Sequence, residues 1–241
     1  MAYFHKMNLN ELTISPLGDS AILLNFENKI DETLNRKVLR LFHELQKKSF
    51  PFVKDIVPAY SSLVIFYDLL IIKNKSTVNK TYLEIVTDQI KNILFEDIEI
   101  SSLSSRKIKI PVCYSEKYAL DINDISKEKK LSVAEIIHLH TAKKYRVYMT
   151  GFLPGFAYMG EVDGRIAMPR KAQPRTFVEA GSVGIAGAQT GIYPLDSPGG
   201  WQIIGKTPQK IFDKEKNDPV LLQPGDEIEF YSITEDELTN N

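Results

Sequence analysis

Two arginines in the stretch PRKAQPR, Arg170 and Arg175, are the residues of this sequence best suited to hold an anion. A guanidinium is a planar fork of N–H donors that matches carboxylate or phosphate oxygens, and the flanking prolines stiffen the backbone between the two. The competing reading is a pair of solvated surface charges. Around them the chain supplies the usual ingredients of a small-molecule site. Phe152, Phe156 and Tyr158 offer apolar walls, and Gln189, Thr190, Tyr193 and Ser197 offer neutral hydrogen-bonding groups. Each aromatic residue taken alone is core by default. Eleven of the thirteen glycines fall between Gly151 and Gly205, seven of them in GSVGIAGAQTGIYPLDSPGGWQIIG beside the only tryptophan, Trp201. Glycine lets backbone take positive φ and lets another group come close, so the clustering predicts loops built for approach.

Several other patterns tempt and fail on context. GWQIIGKT, residues 200–207, satisfies a phosphate-loop pattern, yet bulky Trp201, Ile203 and Ile204 fill its middle like a strand and Pro208 follows where a helix must open. AGSVG around Ser182 resembles a nucleophile elbow, but all four histidines (His5, His43, His138, His140) precede it, against the serine, acid, histidine order of that motif. A structural serine in a tight turn is the favoured reading. His138 and His140 are two positions apart on a predicted helix, point to different sides, and read as surface or packing histidines rather than a metal pair. Cys113, the single cysteine, excludes an internal disulfide and reads as a small core residue in the alternating run RKIKIPVCYS.

The elements that must position these groups divide the chain in two. With 241 residues, 43% hydrophobic and 25% charged, the composition supports one large or two ordinary globular domains. A formal charge of −1 gives no reason to expect nucleic acid or an anionic membrane as a partner. Neither a signal-peptide pattern nor a run of eighteen apolar residues occurs, so a cytoplasmic protein is expected. Residues 1–104 are nearly free of glycine and read as SAILLNF (strand), a helix marked by Ile30, Leu34, Val38, Leu41 and Leu45, the hairpin VKDIV–PAYS–SLVIFY, a helix marked by Leu83, Val86, Ile90, Ile93 and Leu94, and the strand DIEIS. This β-α-β-β-α-β order is the ferredoxin-like α/β pattern. Residues 105–241 open with RKIKIPVCYS and a helix announced by the Ser132/Glu135 capping spacing. They continue as short strands (YRVYMTG, RIAMP, RTFVEAG, SVGIAG, WQIIG, DEIEFYSI) with almost no further helix, which predicts a closed or nearly closed β-barrel and an α+β chain overall.

GFLPGFAYMG, MPRKAQPR, EAGSVGIAGAQTGIYP and SPGGWQIIGKTP, in this order, resemble the allophanate hydrolase subunit 1 family, which includes the B subunit of 5-oxoprolinase and the Kip inhibitor of a histidine kinase. The likeness runs from about Leu12 to Tyr231 and is most specific between His140 and Pro208. It departs at Glu179, where relatives usually carry proline, and at Lys206, where they often carry arginine. The resemblance implies a cyclophilin-like barrel after the α/β domain, without prolyl isomerase activity. It further implies an ATP-dependent complex in which this chain, inactive alone, acts with C and A subunits to open 5-oxoproline to glutamate, ATP (with Mg) being used by the complex, with no metal site on this chain and no cofactor bound by it alone. The rival implications are an inhibitor docked on a sensor histidine kinase and a carboxyltransferase-like component of urea or allophanate metabolism. Under the first reading Arg170 and Arg175 hold carboxylate or phosphate oxygens, and amides around Gly181–Gly187 and Ser197–Gly200 stabilise developing negative charge. Phe152, Pro154, Phe156, Tyr158, Gly181, Ser182, Gln189, Thr190, Tyr193, Ser197, Gly199, Gly200 and Trp201 complete one expected surface for substrate or partner subunit.

Overall fold

The computed structural model describes residues 12–73, 80–95 and 105–240, the side chains of 92–95 excepted. Its contacts divide the chain into two compact units, residues 1–104 and 105–241.

In the first unit, β1 (Thr13–Pro16) and β2 (Ala21–Asn25) form a hairpin, followed by α1 (Glu32–Lys48), a second hairpin of β3 (Val53–Pro58) and β4 (Ser62–Tyr67), the short α2 (Leu69–Lys73) and α3 (Tyr82–Phe95). Asp31 caps α1 by accepting the Leu34 amide at 2.9 Å, and Ser49 ends it in the left-handed region. Val38, Leu41 and Leu45 recur along one face of α1 and are wholly buried, each contributing about 1.5–3 kcal/mol. Asn35 interrupts that stripe without cost, because its amide donates to the carbonyls of Ala59 and Tyr60 in the second hairpin. The antiparallel sheet has the order β1-β2-β4-β3. β4 lies between β2 and β3, and the position on the other side of β2 is taken by β1, a strand too short and too proline-bounded for its sequence to announce. DIEIS lies outside the described residues. The five-residue α2 is equally unannounced, being shorter than two helical turns.

The second unit contains β5 (Lys107–Cys113), α4 (Ile122–Lys129), α5 (Val133–Thr141), β6 (Lys144–Thr150), β7 (Ala157–Gly160), β8 (Arg175–Val178), β9 (Ser182–Ala186), β10 (Gln189–Ile192), β11 (Ser197–Gly199), β12 (Gln202–Lys206), β13 (Glu227–Ile233) and α6 (Glu235–Thr239). Seven strands close a barrel in the order β10-β7-β6-β13-β5-β12-β9, while β8 and β11 pair separately. All barrel pairings are antiparallel except β13 with β5, which run side by side from Glu227 beside Lys107 to Ile233 beside Cys113. The turn before β13 is fixed by Asp226, which accepts both the Gln223 amide and the Arg106 guanidinium.

Helix content here exceeds the expectation. The Ser132/Glu135 capping box opens α5 as the spacing predicts. α4 escapes a sequence reading because its polar sequence buries only Ile122 and Ile125. RIAMP is not a strand; only Met168 bridges to Gly187, since Pro169 has no amide to extend a ladder. The phosphate-loop look-alike lies on β12, with Gly205 packed against Val112 and no helix after it. Cys113 is a buried free thiol.

The aromatic face of the barrel

Side chains alternate across a strand, so each wall strand serves two surfaces. Along β7, β10, β9 and β12, four neighbours in the barrel order, Met159, Ile192, Val183, Ile185 and Ile204 point into the aliphatic interior. Their alternates serve a separate cluster on the outer face, made of Phe156, Val178, Ala186, Tyr193, Trp201 and Ile203, with Tyr158 packed against it. The rings meet edge to face: Phe156 lies 4.9 Å from Tyr158, 5.5 Å from Tyr193 and 5.3 Å from Trp201, centroid to centroid. Such pairs add about 0.5–1.5 kcal/mol each beyond the area they bury. Phe152, 60% exposed and held at φ +70°, stands 5.5 Å from Phe156 at the rim.

Two glycines explain how rings fit against a strand wall. A Cβ on Gly191 would sit 3.0 Å from the Phe156 ring and 3.1 Å from the Trp201 ring, and one on Gly184 would sit 3.1 Å from Cβ of Trp201. On β11, a Cβ on Gly199 would come within 2.7 Å of the Tyr193 ring. What approaches these glycines is the protein's own aromatic layer.

The two arginines have different fates. Arg175 is locked to Asp121, its Nη1 and Nη2 donating to the two carboxylate oxygens at 2.9 and 2.6 Å. Lys171 Nζ adds a bond at 2.7 Å and the Ile203 amide another at 2.6 Å. Asp121 is 1% exposed. Burial alone would push its carboxyl up, but the bonds from Arg175, Lys171 and the Ile203 amide outweigh it and hold the group below the usual carboxylate range. The expectation that Arg175 grips a ligand is therefore corrected: its fork is filled by the chain's own carboxylate. Arg170 is exposed, has no carboxylate partner among the described residues, and rests over the Trp201 ring at 6.0 Å. Asp121 and Lys171 are the residues that sequence reasoning missed. Lys171 stood in view between the arginines, whereas Asp121 lies 50 residues upstream of it and no local pattern joins them.

Phe152, Phe156, Tyr158, Arg170, Tyr193 and Trp201 come together on this face. Pro154 is exposed on the turn between Phe152 and Phe156. Gly200 ties the arginine loop down by accepting the Lys171 amide at 2.7 Å, and Gln189, on the alternation, shares the outer face with Gly191. Thr190 belongs to the other surface. It is buried and donates to the Gly184 carbonyl at 3.0 Å, so His140 Nε2 must donate to its oxygen at 3.1 Å while Nδ1 accepts from Tyr114 at 2.7 Å. Burial lowers the His140 imidazole to about 3, and it is a neutral core group stacked on Phe230; His138 is exposed. The amides of Gly181, Ser182 and Gly187 donate to the carbonyls of Tyr193, Glu179 and Met168, which removes these three from an oxyanion role. Ser182 is buried in the strand wall, as a structural serine. Ser197 Oγ is buried with no hydrogen-bond partner among the described residues, on the strand opposite Val178. Burial pushes the Tyr193 hydroxyl up, so it remains a neutral donor.

The two family departures meet: Lys206 and Glu179 form an ion pair. Among the described residues no cluster of His, Cys, Asp and Glu is suited to a metal ion, and no helix is long and apolar enough to cross a membrane.

Fold and site together describe a barrel protein whose differentiated surface is an aromatic layer bearing an uncommitted arginine. The chain belongs to the carboxyltransferase domain family, subdomains C and D, whose model matches residues 12–222. It is 41% identical to the B subunit of 5-oxoprolinase from Bacillus subtilis, over 92% of this chain and 93% of that one. Among solved structures, the conserved protein PH0987 from Pyrococcus horikoshii is 42% identical with a TM-score of 0.54, covering 94% of this chain and 100% of that one. Urea carboxylase of Kluyveromyces lactis, 22% identical with a TM-score of 0.71 over 95% of this chain and 22% of its own, shares the fold.

Proposed function

We propose that the chain is the B subunit of a 5-oxoprolinase, a hydrolase complex in which it works with C and A subunits to open the 5-oxoproline ring to glutamate at the expense of ATP, and that it is inactive alone in the cytoplasm. The observation that carries this reading is the near end-to-end match to the Bacillus subtilis protein at 41% identity, spanning 93% of its length. The geometry supports it. A free guanidinium over an aromatic floor suits a small molecule with one carboxylate and a flat ring, a description that 5-oxoproline meets. A polyphosphate would call for several cations, and Arg175 and Lys171 are committed to Asp121. On this reading ATP is bound with the help of another component of the complex.

A lactam is stable because amide resonance must be lost on opening, and phosphorylation of the ring carbonyl supplies the activation. The task of this chain is then to hold the carboxylate through Arg170 and to exclude water with the rings of Phe152, Tyr158 and Trp201. Exposed Phe152 gives the rim an apolar group for the C subunit to cover.

The test is reconstitution. Purified chain, C and A subunits, 5-oxoproline and MgATP are expected to yield glutamate with stoichiometric ADP, and omission of this chain is expected to abolish it. An assembled complex that forms no glutamate, yet turns over urea-type substrates, would move the assignment to the urea branch of the family.

A further inference from the structure

Arg170 is exposed on a loop, and an exposed arginine samples many rotamers unless its backbone is fixed. The loop from Met168 to Arg175 is fixed from several directions. Gln202 Nε2 donates to the Pro169 carbonyl at 2.9 Å, the Lys171 amide donates to Gly200 at 2.7 Å, and the side chains of Lys171 and Arg175 both close on Asp121. Asp121 is itself clamped to the strand that follows Trp201: its amide donates to the Ile203 carbonyl at 2.8 Å, and its carboxylate accepts the Ile203 amide. One buried carboxylate thus joins the loop carrying Arg170 to the strand that directly follows its ring partner Trp201, with tethers on both sides of the free arginine. An ordinary stabilising bridge looks different. Arg106 and Asp226, equally bidentate in the same unit, link a strand start to a turn and touch no part of the aromatic face.

We infer that Asp121 is a positioning residue for substrate binding, acting through Lys171 and Arg175 to hold Arg170 over Trp201. The inference rests on the functional reading above for its kinetic arm and on the geometry alone for its spectroscopic arm. Trp201 is the only tryptophan, so the emission of the isolated chain reports this face directly.

Four variants decide it: Arg170→Ala, Asp121→Asn, the double variant, and Asp226→Asn as the control for lost stability. In the isolated chain at a temperature where all are folded by circular dichroism, Arg170→Ala is expected to raise acrylamide quenching of Trp201. Asp121→Asn is expected to raise it by the same amount, the double variant no further, and Asp226→Asn not at all. In the reconstituted complex, losing a charged hydrogen bond to the substrate carboxylate lowers kcat/KM by about 10- to 100-fold. That loss is expected for Arg170→Ala and Asp121→Asn alike, mainly through KM, with the double variant equal to either single one. Should Asp121→Asn fail to fold, Lys171→Met, which leaves the bidentate Asp121–Arg175 pair intact, is expected to give an intermediate quenching shift. Wild-type quenching and KM in folded Asp121→Asn, or an Asp226→Asn shift of the same size, would overturn the inference. A wild-type complex that makes no glutamate would instead refute the functional reading, and the quenching comparison would still decide the role of Asp121.

Discussion

The two surfaces of the barrel wall are built from the same four strands and differ in almost every physical respect. The inner surface is mostly aliphatic along these strands and closed, and the polar groups His140, Thr190, Tyr114 and Tyr145 within it are hydrogen-bonded. The outer surface is aromatic and glycine-rich, and it is unfinished, with a guanidinium at Arg170 that has no carboxylate partner among the described residues and an exposed ring at Phe152. The contrast teaches where to look for function. A surface whose polar groups are all paired specifies the fold, whereas one with unused donors around a rigid apolar floor has capacity left for a ligand.

The largest effect expected from breaking this contrast is at its seam. Removing a carboxylate that neutralises two partly buried cations costs about 3–5 kcal/mol, so Asp121→Ala is expected to lower the melting temperature sharply in calorimetry. Asp121→Asn keeps the shape and is expected to cost less. Next comes acid. The folded-state value of His140, about 3, lies below its unfolded value, so the unfolded chain binds the extra proton. Stability is then expected to be complete above the unfolded value of about 6.5 and to fall toward pH 3 by up to about 1.4 kcal/mol per unit from this group. Asp121 adds a loss at lower pH, since its folded-state value is depressed below an unfolded one near 3.9. Denaturant melts of wild type and His140→Gln between pH 7 and 4 check the histidine share, which should vanish in the variant.

Overpacking sharpens the comparison at intermediate size. Gly205→Ala would put a Cβ 2.7 Å from Val112, and Gly199→Ala one 2.7 Å from the Tyr193 ring; each is expected to cost about 1–3 kcal/mol. Only the second should move Trp201 emission. The smallest effect is expected for Lys206→Ala, whose half-exposed pairing with Glu179 contributes about 0–1 kcal/mol.

How far the sequence reached follows from the range of each signal. Local signals carried α1, α3, α5, the β3–β4 hairpin and most barrel strands, because period, capping and proline act over a few residues. The rings of Phe152, Phe156, Tyr158, Tyr193 and Trp201 do meet, but the glycines, read from the sequence as room for a ligand or partner, make room for these rings instead. Thr190 was misplaced because a site residue and a core residue are neighbours on a strand, and only the register says which faces in. Arg175 was misread for a different reason: its partner, Asp121, is distant in sequence and on another element, and a charge pair of that kind has no periodicity.

In the proposed function Arg170 is central, as an uncommitted cation on the face assigned to the substrate. The direct measurement is glutamate formation from 5-oxoproline and ATP by the complex reconstituted with wild-type chain or with Arg170→Ala, with assembly confirmed by size exclusion. A wild-type complex that turns over and a variant complex that assembles normally, melts within about 0.5 kcal/mol of wild type and loses at least about tenfold in kcat/KM is the predicted result. Equal turnover by the two assembled complexes would contradict it.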